Sequence, residues 1–299
     1  MNEYLWIWLV LLYGTLKGAR EICKKKALQT CSSIEVLLIY SLIAFLLVIH
    51  EAPEAIGMEP RFFLPVIVKS FVIFIAWICS FTAIKQLPIS LYGVLDLSRV
   101  LFATLLGVCV LGERMGIYNI IGLVFVCLGL LMLKFNPLSL LQRNKQNSTV
   151  EDNKDSRQVA PVIVVLALIS CMLNAVSGLM DKILMKDITS AQLQFWYMFF
   201  LCIFYTIYAV ASKEIVNTVK TLKNKWIWLL AIMFVIADRA LFVANGMEQS
   251  QVTVMTLLKQ AGCIVTILAG KFVFKEKRVG YKLVCAAVII FGIVMGVMK

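Results

Sequence analysis

The stretches GAREICKKK (residues 18–26) and GLMDKILMK (residues 178–186) decide the fold. Each closes the first long apolar run of its half of the chain, and each sets a glycine, an acid and a lysine at the same intervals: Gly18, Glu21 and Lys26 in one, Gly178, Asp181 and Lys186 in the other. A second match lies further on. Gly107 precedes Glu113 and Arg114, Gly270 precedes Glu276 and Lys277, and each acid is followed at the same distance by Gly129 or Gly292. A shared apolar composition does not generate both coincidences, so the chain reads as an internal repeat.

Working outward from these anchors, apolar runs mark spans near residues 4–22, 34–50, 62–84, 87–111, 116–134, 161–182, 190–211, 226–247, 251–273 and 279–298. Crossing a hydrocarbon core takes about 20 apolar residues at helical rise, and only a helix satisfies its own backbone there. The expected fold is an all-α polytopic membrane protein with ten transmembrane helices. Five spans per half is an odd number, so the second half must sit upside down relative to the first, as two inverted five-helix repeats. The repeats occupy residues 1–135 and 161–299, and the polar segment 136–160, rich in Gln, Asn, Ser and charges of both signs, reads as a solvated linker.

Composition agrees. The 299 residues are 61% hydrophobic and 15% charged, with a mean hydropathy of +0.90, too apolar for a water-soluble domain of this size. The spans leave no room for a soluble catalytic domain. The first begins at Tyr4 without a basic leader region or a small-residue cleavage site, so it is expected to be retained. The net charge of +12 is scattered between apolar runs, which speaks against a nucleic-acid partner. It reads instead as topology. Loops after odd-numbered spans hold Arg20, Lys24, Lys25 and Lys26, then Lys134, Arg143, Lys145, Lys154 and Arg157, then Lys213, Lys220, Lys223 and Lys225, then Lys271, Lys275, Lys277 and Arg278. The other side carries mainly Arg61, Arg114, Lys182, Lys186 and Lys299, with Glu51, Glu54 and Glu59 after span two. The positive-inside rule then puts the odd loops in the cytoplasm and both termini outside. Nine single cysteines without a CxxC pair, and one histidine, His50, suggest neither a zinc site nor a disulfide framework.

The stretch from Leu87 to Leu133, with PISLYGVLDLSR and LLGVCVLGER, resembles an EamA repeat of the drug/metabolite transporter superfamily. In the second half SGLMDK, QLQFWY, IAD at residues 236–238 and FKEK before the last span resemble a bacterial ten-helix branch of that family. The resemblance implies a central cavity, alternating access, no cofactor and a multi-pass place in a bacterial inner membrane. It implies no particular substrate.

Ionisable groups inside a membrane cost a few kcal/mol on insertion scales and normally face a cavity or a partner. In span four, Tyr92, Asp96, Arg99 and Ala103 follow one helical face, as do Thr256, Lys259, Gln260 and Cys263 in span nine. Aligning the halves on Glu113 and Glu276 sets Asp96 opposite Lys259, where the two could flank a substrate or form an ion pair that packs the halves together. Span eight places Asp238, Phe242, Asn245 and Gln249 on one face, with Arg239 turned away by about one hundred degrees. Span six offers Asn174, and span seven offers Trp196 and Tyr197, rings that could stack on a ligand or anchor the helix at the interface. Glu21 and Asp181 serve either as a gate or as helix-end charges, whereas Glu113 and Glu276 are expected to end helices at short turns.

These residues point to a secondary transporter for a small polar metabolite, an amino-acid-like zwitterion or a small organic anion. A flippase for lipid headgroups is the alternative. A membrane enzyme fits less well, since no histidine stands in an acid cluster and no acidic metal motif or phosphate-cradling loop occurs. The expected partners are the cargo and membrane lipids, with the protein a monomer or a homodimer and proton coupling left open.

Overall fold

A computed structural model describes residues 5–111, 116–134, 161–212, 217–247, 250, 255, 258–259, 261–276 and 279–295, and no β-strand occurs among them. The first half contains α1 (Leu5–Ala27), α2 (Ser33–Val48), a short α3 (Ala52–Ala55), α4 (Phe63–Gln86), α5 (Ile89–Asp96), α6 (Arg99–Leu111) and α7 (Ile117–Lys134). The second contains α8 (Pro161–Leu184), α9 (Ser190–Ala211), a short α10 (Thr218–Leu222), α11 (Lys225–Gly246), α12 (Ala261–Phe272) and α13 (Val279–Met295). Among the described residues six segments are long and apolar enough to cross a membrane: Ser33–Ala55, Pro60–Gln86, Ile89–Gly107, Pro161–Leu184, Ser190–Ala211 and Lys225–Gly246. The expected linker and the residues Glu113, Arg114, Gln249, Thr256, Gln260 and Lys277 lie outside the described residues.

The halves start their second helices in the same way. Ser32 caps α2 and Thr189 caps α9, each in a capping box with the residue three later, Glu35 or Gln192. Such a box satisfies two of the orphan N–H groups at a helix start. Packing repeats this duplication: α1 lies along α11 as α4 lies along α8, α1 meets α12 as α6 meets α8, and α2 and α7 pair with their own counterparts α9 and α13. The counterparts run antiparallel. Glu35 Oε1 accepts from the Asn217 N–H at 2.9 Å at one end of the α2–α9 pair, and Phe45 meets Phe195, ring centroids 5.3 Å apart, at the other. Likewise the Tyr281 hydroxyl donates to the Met132 carbonyl at 2.7 Å while Phe125 meets Phe291 further along α7 and α13.

Three helices differ from expectation. The first span continues past residue 22 to Ala27, because its later charges point inward: Arg20, Glu21 and Lys24 are each under a tenth exposed. Arg20 and Lys24 therefore do not belong to a loop and drop out of the charge count that set the orientation. The fourth span is broken after Asp96, and the chain tightens there into i→i−3 bonds, Leu97 N–H to Val94, Ser98 N–H to Leu95 and Val100 N–H to Leu97, all near 3 Å. In the second half Lys259, the counterpart of Asp96, lies in a turn just ahead of α12.

Candidate functional site

Between the halves lies a cavity of about 120 Å³, walled by α1, α2, α4, α5, α6, α8, α9 and α11 together with Lys259 and Met255. Its floor and sides are unusually charged for a membrane interior. Lys17, Arg20, Lys24, Lys69, Arg99 and Lys259 line it, as do Glu21, Asp181 and Asp238, while Asp96 sits behind Lys17 in a small adjoining pocket. Buried charges persist only when paired or hydrogen-bonded, and each carboxylate here is. Asp96 is held between Lys17 and Arg99, whose Nη2 lies 2.9 Å from Oδ1. Asp238 receives Arg20 Nη1 at 3.2 Å and the Tyr197 hydroxyl at 2.6 Å. Asp181 pairs with Lys69 at 3.0 Å, and Glu21 with Lys24 at 2.7 Å.

Aromatic faces hold the cations from the other side. Lys69 Nζ stands 3.8 Å from the Tyr197 ring centroid, Arg20 4.9 Å from Phe234, and Lys24 4.6 Å from Phe81. Ring quadrupoles attract cations most strongly when both are desolvated. Lys259 lies 5.8 Å from the Tyr13 ring and has no ion-pair partner among the described residues. Arg99 has its Nε buried without a hydrogen-bond partner. Lys17 and Arg99 thus share the single carboxylate of Asp96, and Lys259 adds a further positive charge.

The structure distributes the sequence candidates unevenly. Tyr92, Arg99, Asn174, Tyr197, Asp238, Phe242, Asn245, Lys259, Glu21 and Asp181 line the cavity. Tyr92 shares a 2.6 Å hydrogen bond with Ser80, and the Asn174 amide is spent on the Ser170 carbonyl at 2.7 Å. Trp196 is not a lining residue: its indole N–H donates to the Ala55 carbonyl at 2.8 Å and its ring packs against Phe63 and Phe195. Arg239 turns to Glu51, 3.0 Å away on the chain that follows α2. The two duplicated acids are not equivalent, since Asp181 reaches across the halves to Lys69 whereas Glu21 stays with Lys24 on its own helix. Lys69, only 2% exposed, joins the site beyond the sequence candidates, although a lysine early in the apolar run 63–84 is itself a signal.

A family model described as the EamA-like transporter family matches residues 4–135 and again residues 161–298. The chain belongs to the EamA-like transporter family. Its two matches fall on the two halves that the helix packing relates. As an EamA-like protein with several apolar helices it is a multi-pass membrane protein, and its family is one of transporters of the drug/metabolite transporter superfamily. A solved crystal structure of a protein superposes on this EamA-like chain with a TM-score of 0.63 at 14% identity, covering 99% of this chain and 96% of its own, which speaks to the fold alone. No curated protein matches at a significant level.

Proposed function

We propose that the protein is a ten-helix secondary transporter of a bacterial inner membrane, in which halves 1–135 and 161–299, joined by segment 136–160, expose a central cavity alternately to each side. The cargo is a small organic anion or an amino-acid-like zwitterion. One observation carries this reading: six cations line the cavity against three lining carboxylates and the adjoining Asp96, so that Lys17 and Arg99 share one carboxylate and Lys259 has none among the described residues. Broken helices at mid-membrane are where transporters of this general kind gather their binding groups. Arg99 supplies a planar fork suited to a carboxylate or phosphate, and Lys259 a point charge. The small cavity, below the roughly 300 Å³ of drug-sized sites, favours a small metabolite. Tyr92, Asn174, Tyr197, Asp238, Phe242 and Asn245 complete the walls that would fit around it.

The test begins with purified protein screened for thermal stabilisation by amino acids and small organic anions, followed by uptake of the radiolabelled hits into proteoliposomes. Arg99→Gln and Lys259→Gln are expected to abolish uptake while the protein stays folded and inserted. Undiminished uptake by both variants refutes the assignment. Movement of labelled phospholipid without uptake of any soluble anion would replace the carrier with a flippase.

A further inference from the structure

Glu276 lies outside the cavity, in the turn that follows α12 and next to Lys275, which adopts a positive φ of 52°. Its carboxylate does not cap its own neighbours. Oε1 accepts the Ile89 N–H at 2.6 Å, and Oε2 accepts the Ser90 N–H at 3.3 Å and the Ser90 hydroxyl. Lys282 Nζ closes the group from α13 at 3.2 Å. Ile89 and Ser90 open α5, whose N-cap residue is Pro88 with no side-chain cap of its own. The orphan N–H groups of a first-half helix are thus satisfied by a carboxylate from the second half. Gly270 makes the space, because a Cβ there would lie 3.0 Å from Ser90 Cβ and 3.1 Å from Glu276 Oε2.

Lys25 grips the same turn from the other side, donating to the Ile84 carbonyl at 2.8 Å and to that of Leu87. The C-terminal ends of α1, α4 and α12 and the start of α5 therefore meet on one face of the bundle. In the second half Lys182, which is not the repeat counterpart of Lys25, holds the Asn245 and Ser250 carbonyls at 3.0 and 3.1 Å, both within its own half. Only on the Lys25 face do the described residues show a carboxylate of one half fastened to a helix start of the other. The fastened helix is the one that carries Tyr92 and Asp96 toward the cavity.

We propose that Glu276 is a positioning residue that latches the two halves together on the face where α1 ends, and that its release lets the cavity open to that face. The inference rests on the alternating-access reading above. Hydrogen–deuterium exchange on the full chain in lipid nanodiscs tests it without knowledge of the cargo. Glu276→Gln removes the charge, and Gly270→Ala leaves every charge in place while wedging the contact apart. Both are expected to raise exchange in peptides covering residues 86–92 and 268–276 by roughly ten- to a hundredfold, the loss of a hydrogen bond to a charged group. Both should also lower exchange on the opposite face, in peptides covering residues 177–185 and 242–247, because a carrier that opens on one side closes on the other. A capping role alone would loosen the first set and leave the second unchanged, and that result overturns the latch, as does an unchanged pattern in both variants. If Glu276→Gln does not fold, Gly270→Ala and the gentler Ser90→Ala decide. Failure here leaves the carrier reading standing on its own uptake assay, and failure of uptake leaves these exchange results intact.

Discussion

Replacing Lys69 with Met puts the inter-half ion pair to a quantitative test. Lys69 Nζ lies 3.0 Å from Asp181 and 3.8 Å from the Tyr197 ring centroid, with both charged side chains more than nine-tenths buried. Lys69→Met leaves the Asp181 carboxylate unpaired in a low-dielectric interior, which costs about 3–5 kcal/mol, and Asp181→Asn leaves the ammonium in the same position at a similar cost. The double variant Lys69→Met/Asp181→Asn carries no stranded charge. It still forfeits the cation–π contact, about 2 kcal/mol when desolvated. Two singles near 3–5 kcal/mol and a double near 2 kcal/mol amount to a coupling of roughly 4–8 kcal/mol, far above the few tenths expected of independent sites. Reversible unfolding in mixed detergent micelles, run on the four proteins of the cycle, measures it. A double variant as unstable as the sum of the singles would refute the pairing and the inter-half contact built on it.

Further expectations follow from single contacts. Gly18→Ala should unfold readily, because its Cβ would lie 2.5 Å from the Gly262 carbonyl oxygen where α1 crosses α12, whereas Gly178→Ala, with nothing within 4 Å, should melt within a degree or two of wild type; equal melting temperatures would contradict the crossing. Trp196→Phe should cost about 1 kcal/mol for its lost bond to Ala55 and leave the KM for cargo unchanged, while Tyr197→Phe, which leaves Asp238 held by Arg20 alone, should raise KM; the reverse pattern would move the site. Lys25→Met should raise amide exchange in residues 84–90 without altering residues 242–247, since its grip lies within one half, and a two-faced response would contradict that.

The repeat and the helical class were legible because both rest on local features: long apolar runs, and glycines and acids at fixed intervals. That Asp96, Arg99, Asp238 and Lys259 point into the bundle was legible as well, since a charge deep in an apolar run has few explanations, although a substrate role for them is a proposal. Arg20 and Lys24 were misread as loop charges because hydropathy ends a helix at its first cluster of charge, whereas α1 buries that cluster against Asp238 and Phe81. For Trp196 the sequence leaves a ligand contact and an interfacial anchor both open. An aromatic ring looks the same in sequence whether it faces a ligand or a neighbouring helix, and only packing on Phe63 distinguishes them. The role of Glu276 depends on contacts 187 residues away, which no spacing within its own half reports.

The inward charges of α1 also bear on how the protein is made. At about 2.5–3.5 kcal/mol for a basic residue at mid-span, a helix carrying Lys17 and Arg20 gains little by entering lipid alone. The carboxylates that neutralise them, Asp96 and Asp238, follow 79 and 218 residues later in the chain. Synthesis therefore delivers the first helix long before its counter-charges exist. The Arg20–Asp238 pair cannot close until the 218 residues that separate its members have been made, so α1 completes its native contacts late relative to its own synthesis.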